Sequence, residues 1–265
     1  MEMHTLYTPV ADLIRTVARD VVLHHYQQLS SAQISEKTPG DLVTVADKES
    51  ERRLSAGLAA ILPDASIVGE EGVEANPALI ERVNDSVAWI IDPIDGTHNY
   101  AHGRPPFGIL IALIEGGETV AGWIYDPLAN RMCHAVRGGG AFINDAPVTA
   151  RESGEPLPVA AISTLFIEEP RRSAITRASE GRFRLVDIPR CAAEQYPRLV
   201  LGQNDVTLFE RTLPWDHAAG VLFVEEAGGK AARLDGSRYL PGDRRTGMIA
   251  AASPRLWDEA AAILG

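Results

Sequence analysis

The sequence predicts an α+β fold built from two joined halves, and three observations carry that prediction. Apolar residues recur at helical spacing near the N-terminus. Short apolar runs separated by tight-turn residues fill the middle, and beyond residue 158 helical and strand-like segments alternate. A chain of 265 residues can bury a large core, and 45% hydrophobic with 23% charged residues is ordinary for a globular protein.

Val10, Leu13, Ile14, Val17, Val21 and Val22 share one helical face, so a helix is expected over residues 9–29, followed by a polar loop over 30–40. A second helix is expected over 45–62, stopped by Pro63. Residues 66–68 read as a short strand. The runs 87–91 and 108–114 read as neighbouring central strands. Glu115-Gly116-Gly117-Glu118 then makes a hairpin into 119–125, and Asp126-Pro127-Leu128-Ala129-Asn130 turns into 132–136. The expected result is an antiparallel meander with helices packed on one side. Residues 152–158, rich in Gly and Pro, mark a boundary between halves 1–152 and 153–265 of a single catalytic unit. Beyond it, strands are expected at 159–163, 183–188, 206–209, 230–234 and 247–252. Helices are expected at 170–179, 192–201, 214–227 and 254–264.

A net charge of −11 without a basic stripe argues against nucleic acid as a partner. The longest apolar run, 107–114, is broken by Glu115-Gly116-Gly117, so no membrane span is expected. The first residues show no secretory pattern. Cys133 and Cys191 give no disulfide framework, and both read as buried small apolar residues; a cytoplasmic location is the expectation.

The chemistry concentrates in Asp92-Pro93-Ile94-Asp95-Gly96-Thr97, directly after an apolar strand. The strand end fixes Asp92, the turn returns Asp95 beside it, and Gly96 lets backbone N–H groups approach an anion. Paired carboxylates beside such a cradle suit Mg²⁺ bridging to a phosphate, although an Asx-type turn would also account for them locally. Three further segments stand in order around it. Asp41 to Asp47 (Asp-Leu-Val-Thr-Val-Ala-Asp) opens a helical pattern, Gly69-Glu70-Glu71-Gly72 follows a short strand, and Pro214-Trp215-Asp216-His217-Ala218-Ala219-Gly220 lies far downstream.

In order and approximate spacing these segments resemble the inositol monophosphatase family, within the wider group of Mg²⁺-dependent, lithium-sensitive phosphatases. The resemblance spans the chain from about Lys37 to the C-terminal helix. It implies a layered α-β-α-β-α sandwich and hydrolysis of a small phosphorylated metabolite, inositol monophosphate-like. It also implies two or three Mg²⁺ ions and a homodimer, although no surface stripe diagnostic of one is visible. By the same resemblance Glu70, Asp92, the Ile94 carbonyl, Asp95 and Asp216 are metal ligands, with Glu70 also counted among the catalytic groups. Asp47 and Thr97 orient the attacking water, and Gly96 and Thr97 hold the phosphate together with Asp95. Two carboxylates about 4 Å apart repel by roughly 4 kcal/mol at an effective dielectric near 20, so converging acids require cations between them.

Some residues have competing readings. Thr44-x-x-Asp47 has the shape of a capping box. Glu71 reads as a solvated neighbour of Glu70 that could take its place in a slipped register, and Lys37 either as a surface charge or as the match to a basic residue of the family's active-site loop. His98 and His102 are four apart, but Gly103 and Pro105 argue against a helix there, and no metal reading is sustained. His217 reads as a packed or half-exposed histidine, although it could tune Asp216 from behind the metal. On the substrate side, Arg190-Cys191-Ala192-Ala193 stands where the family has Gly first; Arg190 could fill the pocket, select a second anionic group or point to solvent. Glu210 matches the glutamate that binds a substrate hydroxyl. Relatives acting on histidinol phosphate, fructose 1,6-bisphosphate or 3′-phosphoadenosine 5′-phosphate share the metal motifs, and a catalytically silent metal- and phosphate-binding regulatory protein is the reading of another class.

Overall fold

A computed structural model describes residues 4–38 and 40–265. Helix α1 (His4–Val17) runs through a π-helical turn, Ala18–Val22, into α2 (Leu23–His25) and packs on α3 (Val45–Ile61). The helix expected over 9–29 thus begins earlier and ends sooner. Buried Leu6 draws the first turn into the core despite the missing N–H of Pro9, and Tyr26 turns to an extended ψ of 127°. Where a polar loop was expected, β1 (Ile34–Thr38) and β2 (Asp41–Thr44) form an antiparallel hairpin. Its half-exposed strands bury too little to leave an alternating apolar pattern.

The large sheet has seven strands in sequence order: β3 (Ser66–Gly69), β4 (Val87–Asp95), β5 (Gly108–Glu115), β6 (Glu118–Asp126), β7 (Arg131–Val136), β8 (Gly140–Ile143) and β9 (Ala146–Val148). The expected meander is there, lengthened by β8 and β9. Strands β3 and β4 are parallel, and the crossover this requires is supplied by α4 (Glu70–Ala75) and a 3₁₀ segment, Pro77–Asn84. After β4 comes the single-turn helix α5 (Thr97–Ala101).

Helices cover both faces of this sheet, not one. Trp89, Ile91, Ile109, Ile111 and Trp123 bury against α1 and α3. Ala88, Ile90, Leu110, Ala112 and Ile124 bury against α7 (Ala192–Val200) and α8 (Pro214–Glu226). Near-continuous apolar runs in β4 and β5 are the signature of strands buried on both faces. The far sides of α7 and α8 meet a five-stranded mixed sheet ordered β11-β10-β12-β14-β13. Its strands are β10 (Val159–Ile162), β11 (Arg184–Leu185), β12 (Val206–Phe209), β13 (Lys230–Arg233) and β14 (Met248–Ala251). The strand expected over 183–188 shrinks to two exposed edge residues. Helices α6 (Arg171–Ser179) and α9 (Pro254–Leu264) form the last layer, so the order is α-β-α-β-α. Among the described residues no helix is long and apolar enough to cross a membrane.

Candidate metal centre and active site

Strand β4 pairs Asp92 with Leu110 and Asp95 with Gly108, so three steps on one strand face two on the other. In a regular strand residues three apart point to opposite faces; this bulge puts both aspartates on the same one. Pro93, which has no N–H to give the ladder, sits inside it. Asp92 Oδ1 accepts from the Ile94 N–H at 3.1 Å. Gly96 then turns the chain at φ +81°, where a Cβ would lie 2.9 Å from the Pro106 carbonyl oxygen, and α5 starts with Thr97. Helix α8 begins at Pro214 and carries Asp216 in its first turn. One carboxylate oxygen from each of Asp92, Asp95 and Asp216 lies within 4.8 Å of the others.

Burial and mutual repulsion raise the pKa of all three acids. Asp92 is pushed well above the usual carboxylate range by burial and then by the charges of Glu70, Asp95 and Asp216. Burial pushes Asp216 up to about 8 against the opposing charge of Arg211. Asp95 rises to about 6, also by burial, and is restrained by hydrogen bonds; its Oδ2 accepts from the Ala193 N–H of α7 at 2.7 Å. A buried all-carboxylate donor set suits a hard divalent cation, and a cation would replace the protons.

Glu70 is the first residue of α4 and lines the same cleft, but it is not within the three-aspartate cluster. Lys37, read either as a surface charge or as the basic residue of the active-site loop, has a side chain only 6% exposed and bonds Glu70 at 2.9 Å and Glu71 at 2.6 Å. Burial lowers the Lys37 pKa, but the two carboxylates outweigh it and hold it above the usual lysine range. Glu71, expected to be solvated, has only 9% of its side chain exposed, because Lys37 gives it a partner. A further residue was missed altogether. Glu51 on α3 accepts from the Glu71 and Gly72 N–H groups, both at 2.7 Å, and so caps α4 and sets the direction of Glu70. Gly69 is required for this approach, since a Cβ there would stand 2.3 Å from the Glu51 carboxyl carbon. The sequence signal was available: Glu51 follows Asp47 by one helical turn on a buried face.

Asp47 satisfies both of its readings. Its Oδ2 accepts from the Thr44 N–H at 2.8 Å and hydroxyl at 2.5 Å, closing the capping box. Its Oδ1 lies 3.2 Å from Thr97 Oγ1, which also donates to the Ile94 carbonyl at 2.8 Å. Burial pushes Asp47 up to about 7, with the Thr44 hydrogen bond pulling the other way.

On the substrate side, Arg190, Cys191, Ala192 and Glu210 line the cleft with Gly96 and Thr97. Cys191 is buried, and its thiol donates to the Asp95 carbonyl at 3.8 Å. Glu210 Oε1 is held by Arg171 at 2.7 Å, while its Oε2 is buried without a partner among the described residues. His217 is packed: Nε2 gives its proton to the Arg211 carbonyl at 2.9 Å and Nδ1 accepts from Tyr196 at 2.8 Å. Burial pushes it down to about 3, so it stays neutral. His98 proves helical, in α5, with His102 at its end, and the two rings pack 4.5 Å apart. Both cysteines are buried and unpaired.

The model of the inositol monophosphatase family matches residues 2–264. A Vibrio cholerae protein named Nus factor SuhB is 32% identical over 256 residues, covering 93% of this chain and 92% of its own. A Thermotoga maritima fructose-1,6-bisphosphatase/inositol-1-monophosphatase is 33% identical over 197 residues, covering 74% and 73%. The solved structure of a Thermotoga maritima IMPase superposes with a TM-score of 0.82 at 28% identity, covering 99% of this chain and 97% of that one.

Proposed function

Because the chain belongs to the inositol monophosphatase family and is a phosphatase of that kind, we propose that it is a Mg²⁺-dependent phosphomonoesterase acting on a small phosphorylated metabolite, inositol monophosphate-like in its polyol character. The observation that carries this is the meeting of Asp92 and Asp95 with Asp216, from the other half of the sequence, at the floor of a cleft of about 390 Å³. That volume suits a metabolite-sized ligand. Asp92, Asp95 and Asp216 would hold one Mg²⁺, and Glu70, Asp92 and the Ile94 carbonyl another, with room for a third left to experiment. For Glu70 this means release from Lys37. Bound Mg²⁺ supplies positive charge to the phosphate and leaving oxygen and acidifies water.

The chain's own residues do the rest. Thr97 Oγ1 and Asp47 Oδ1 hold the attacking water in line, and Asp47 takes its proton as the phosphorus–oxygen ester bond breaks. The N–H groups at the start of α5, by Gly96 and Thr97, have no helical acceptor of their own and face the phosphate. Glu210 Oε2 accepts from a hydroxyl of the leaving group. Residues 1–265 act as a single catalytic unit, expected as a homodimer and expected to be inhibited by Li⁺. A silent regulatory role is the weaker reading, since Asp47, Glu70, Asp92, Asp95, Thr97 and Asp216 are all present.

The test is inorganic phosphate release from inositol 1-phosphate, histidinol phosphate, fructose 1,6-bisphosphate and 3′-phosphoadenosine 5′-phosphate, with and without Mg²⁺. Release that needs Mg²⁺ is expected from at least one ester; none from any would end this reading. Glu51→Gln should weaken Mg²⁺ binding about 10- to 100-fold by loosening α4 beneath Glu70, the usual cost of losing a support behind a ligand. Calorimetric Mg²⁺ titration of the folded variant checks this, and an unchanged affinity would show that Glu51 is only a cap.

A further inference from the structure

We infer that the substrate carries a second anionic group, held by Arg190, besides the phosphate that is cleaved; this rests on the phosphatase reading of the same cleft. Arg190 adopts φ +53°, a left-handed conformation that L-residues with long side chains seldom take and Gly takes freely. Its neighbours fix it there. Asn99 Nδ2 donates to the Pro189 carbonyl at 3.0 Å and to the Pro106 carbonyl at 2.9 Å. On the other side the Cys191 thiol reaches the Asp95 carbonyl. The turn is thereby tied to both ends of the Asp95–Asn99 segment, and Arg190 lines the cleft.

Arg190 is exposed and makes no hydrogen bond or ion pair among the described residues, whereas Arg171 is committed to Glu210. It is not solitary. His98, which also lines the cleft, is held below the usual histidine range by burial and then by the charges of Arg190, His102 and Arg104. Arg190 and Arg104 are thus the permanent positive charges felt at this rim, in a chain of net charge −11. A neutral polyol offers such a group nothing that water does not, whereas a second phosphate offers two parallel charge-assisted hydrogen bonds. Together with the free, buried Oε2 of Glu210, the cleft describes a hydroxylated skeleton bearing two phosphates. Sugar bisphosphates and nucleoside bisphosphates share that chemistry.

The experiment compares kcat/KM within two matched pairs: fructose 1,6-bisphosphate against fructose 1-phosphate, and adenosine 3′,5′-bisphosphate against adenosine 3′-monophosphate. The wild type should favour the bisphosphate of one pair by at least about tenfold, the scale of one charge-assisted contact, and the pair showing it identifies the skeleton. Arg190→Gly should bring that ratio towards one, and Arg190→Lys should retain part of it. Melting curves keep the result readable, since Gly relaxes the left-handed turn and should not lower stability. An unchanged ratio in Arg190→Gly, a loss equal on both members, or wild-type preference for the monophosphates would overturn the inference while leaving the phosphatase reading intact. No release from any ester would overturn both.

Discussion

Asp216→Asn is expected to cut Mg²⁺-dependent turnover by at least about 10³-fold, because it removes a charge that places the cation against the developing negative charge of the reaction. The same change should leave the metal-free protein as stable as before, or more so. Burial pushes folded Asp216 up to about 8, well above the ordinary carboxylate range of the unfolded chain. Between those values the native state holds more protons than the unfolded chain, so the stability of metal-free protein falls as pH rises through that window. Asp95, Asp47 and Glu51, pushed up to about 6, 7 and 7 chiefly by burial, act in the same direction. His217, pushed down to about 3, acts oppositely but only below the ordinary histidine range, so it adds nothing at higher pH. Melting temperatures at about pH 6.5 and about pH 8.5, each in EDTA and in Mg²⁺, separate these effects. Wild type in EDTA should melt lower at the higher pH, with Mg²⁺ restoring more there. In Asp216→Asn the pH slope should flatten and the Mg²⁺ shift should shrink. An undiminished Mg²⁺ shift would remove Asp216 from the metal site.

The site was legible in the sequence where its geometry is local. One bulge and one left-handed glycine bring Asp92 and Asp95 to a common face, and both lie inside six residues. Asp216 and Glu70 were legible only through the order of motifs, since no local pattern links them to β4. The ion pairs of Lys37 with Glu70 and Glu71 left no trace, because a charge is read as solvated unless its partner is known, and here the partners lie 33 and 34 positions away. Glu51 escaped for the same reason; its partners are backbone N–H groups of another helix. The two-sided covering of the large sheet was written in the unbroken apolar runs of β4 and β5, which a strand solvated on one face would not have. The β1–β2 hairpin and β8–β9 are too short and too polar to register by periodicity. The left-handed turn at Arg190 could not be read at all, since the residue type argues against it.

Asp47→Asn should lower kcat by about 10²- to 10⁴-fold, the range for loss of a positioned general base. Asp47 is also the capping partner of Thr44, so loss of activity has to be separated from loss of the helix start. The charge decides between these. Buried Asp47 is pushed up to about 7, so its carboxylate form is a burden on the fold near neutral pH and the amide relieves it. Asn keeps one oxygen to accept from the Thr44 N–H, which preserves much of the cap. What it cannot do is take a proton from water beside Thr97 Oγ1. Activity should therefore collapse with the melting temperature and the Mg²⁺ dependence of binding little changed. Thr97→Val should move kcat the same way by a smaller factor, since it removes the hydroxyl at 3.2 Å from Asp47 Oδ1 and leaves the base itself. If the loss of turnover in Asp47→Asn tracks a loss of melting temperature, capping is its whole role and the attacking water must be held by other groups.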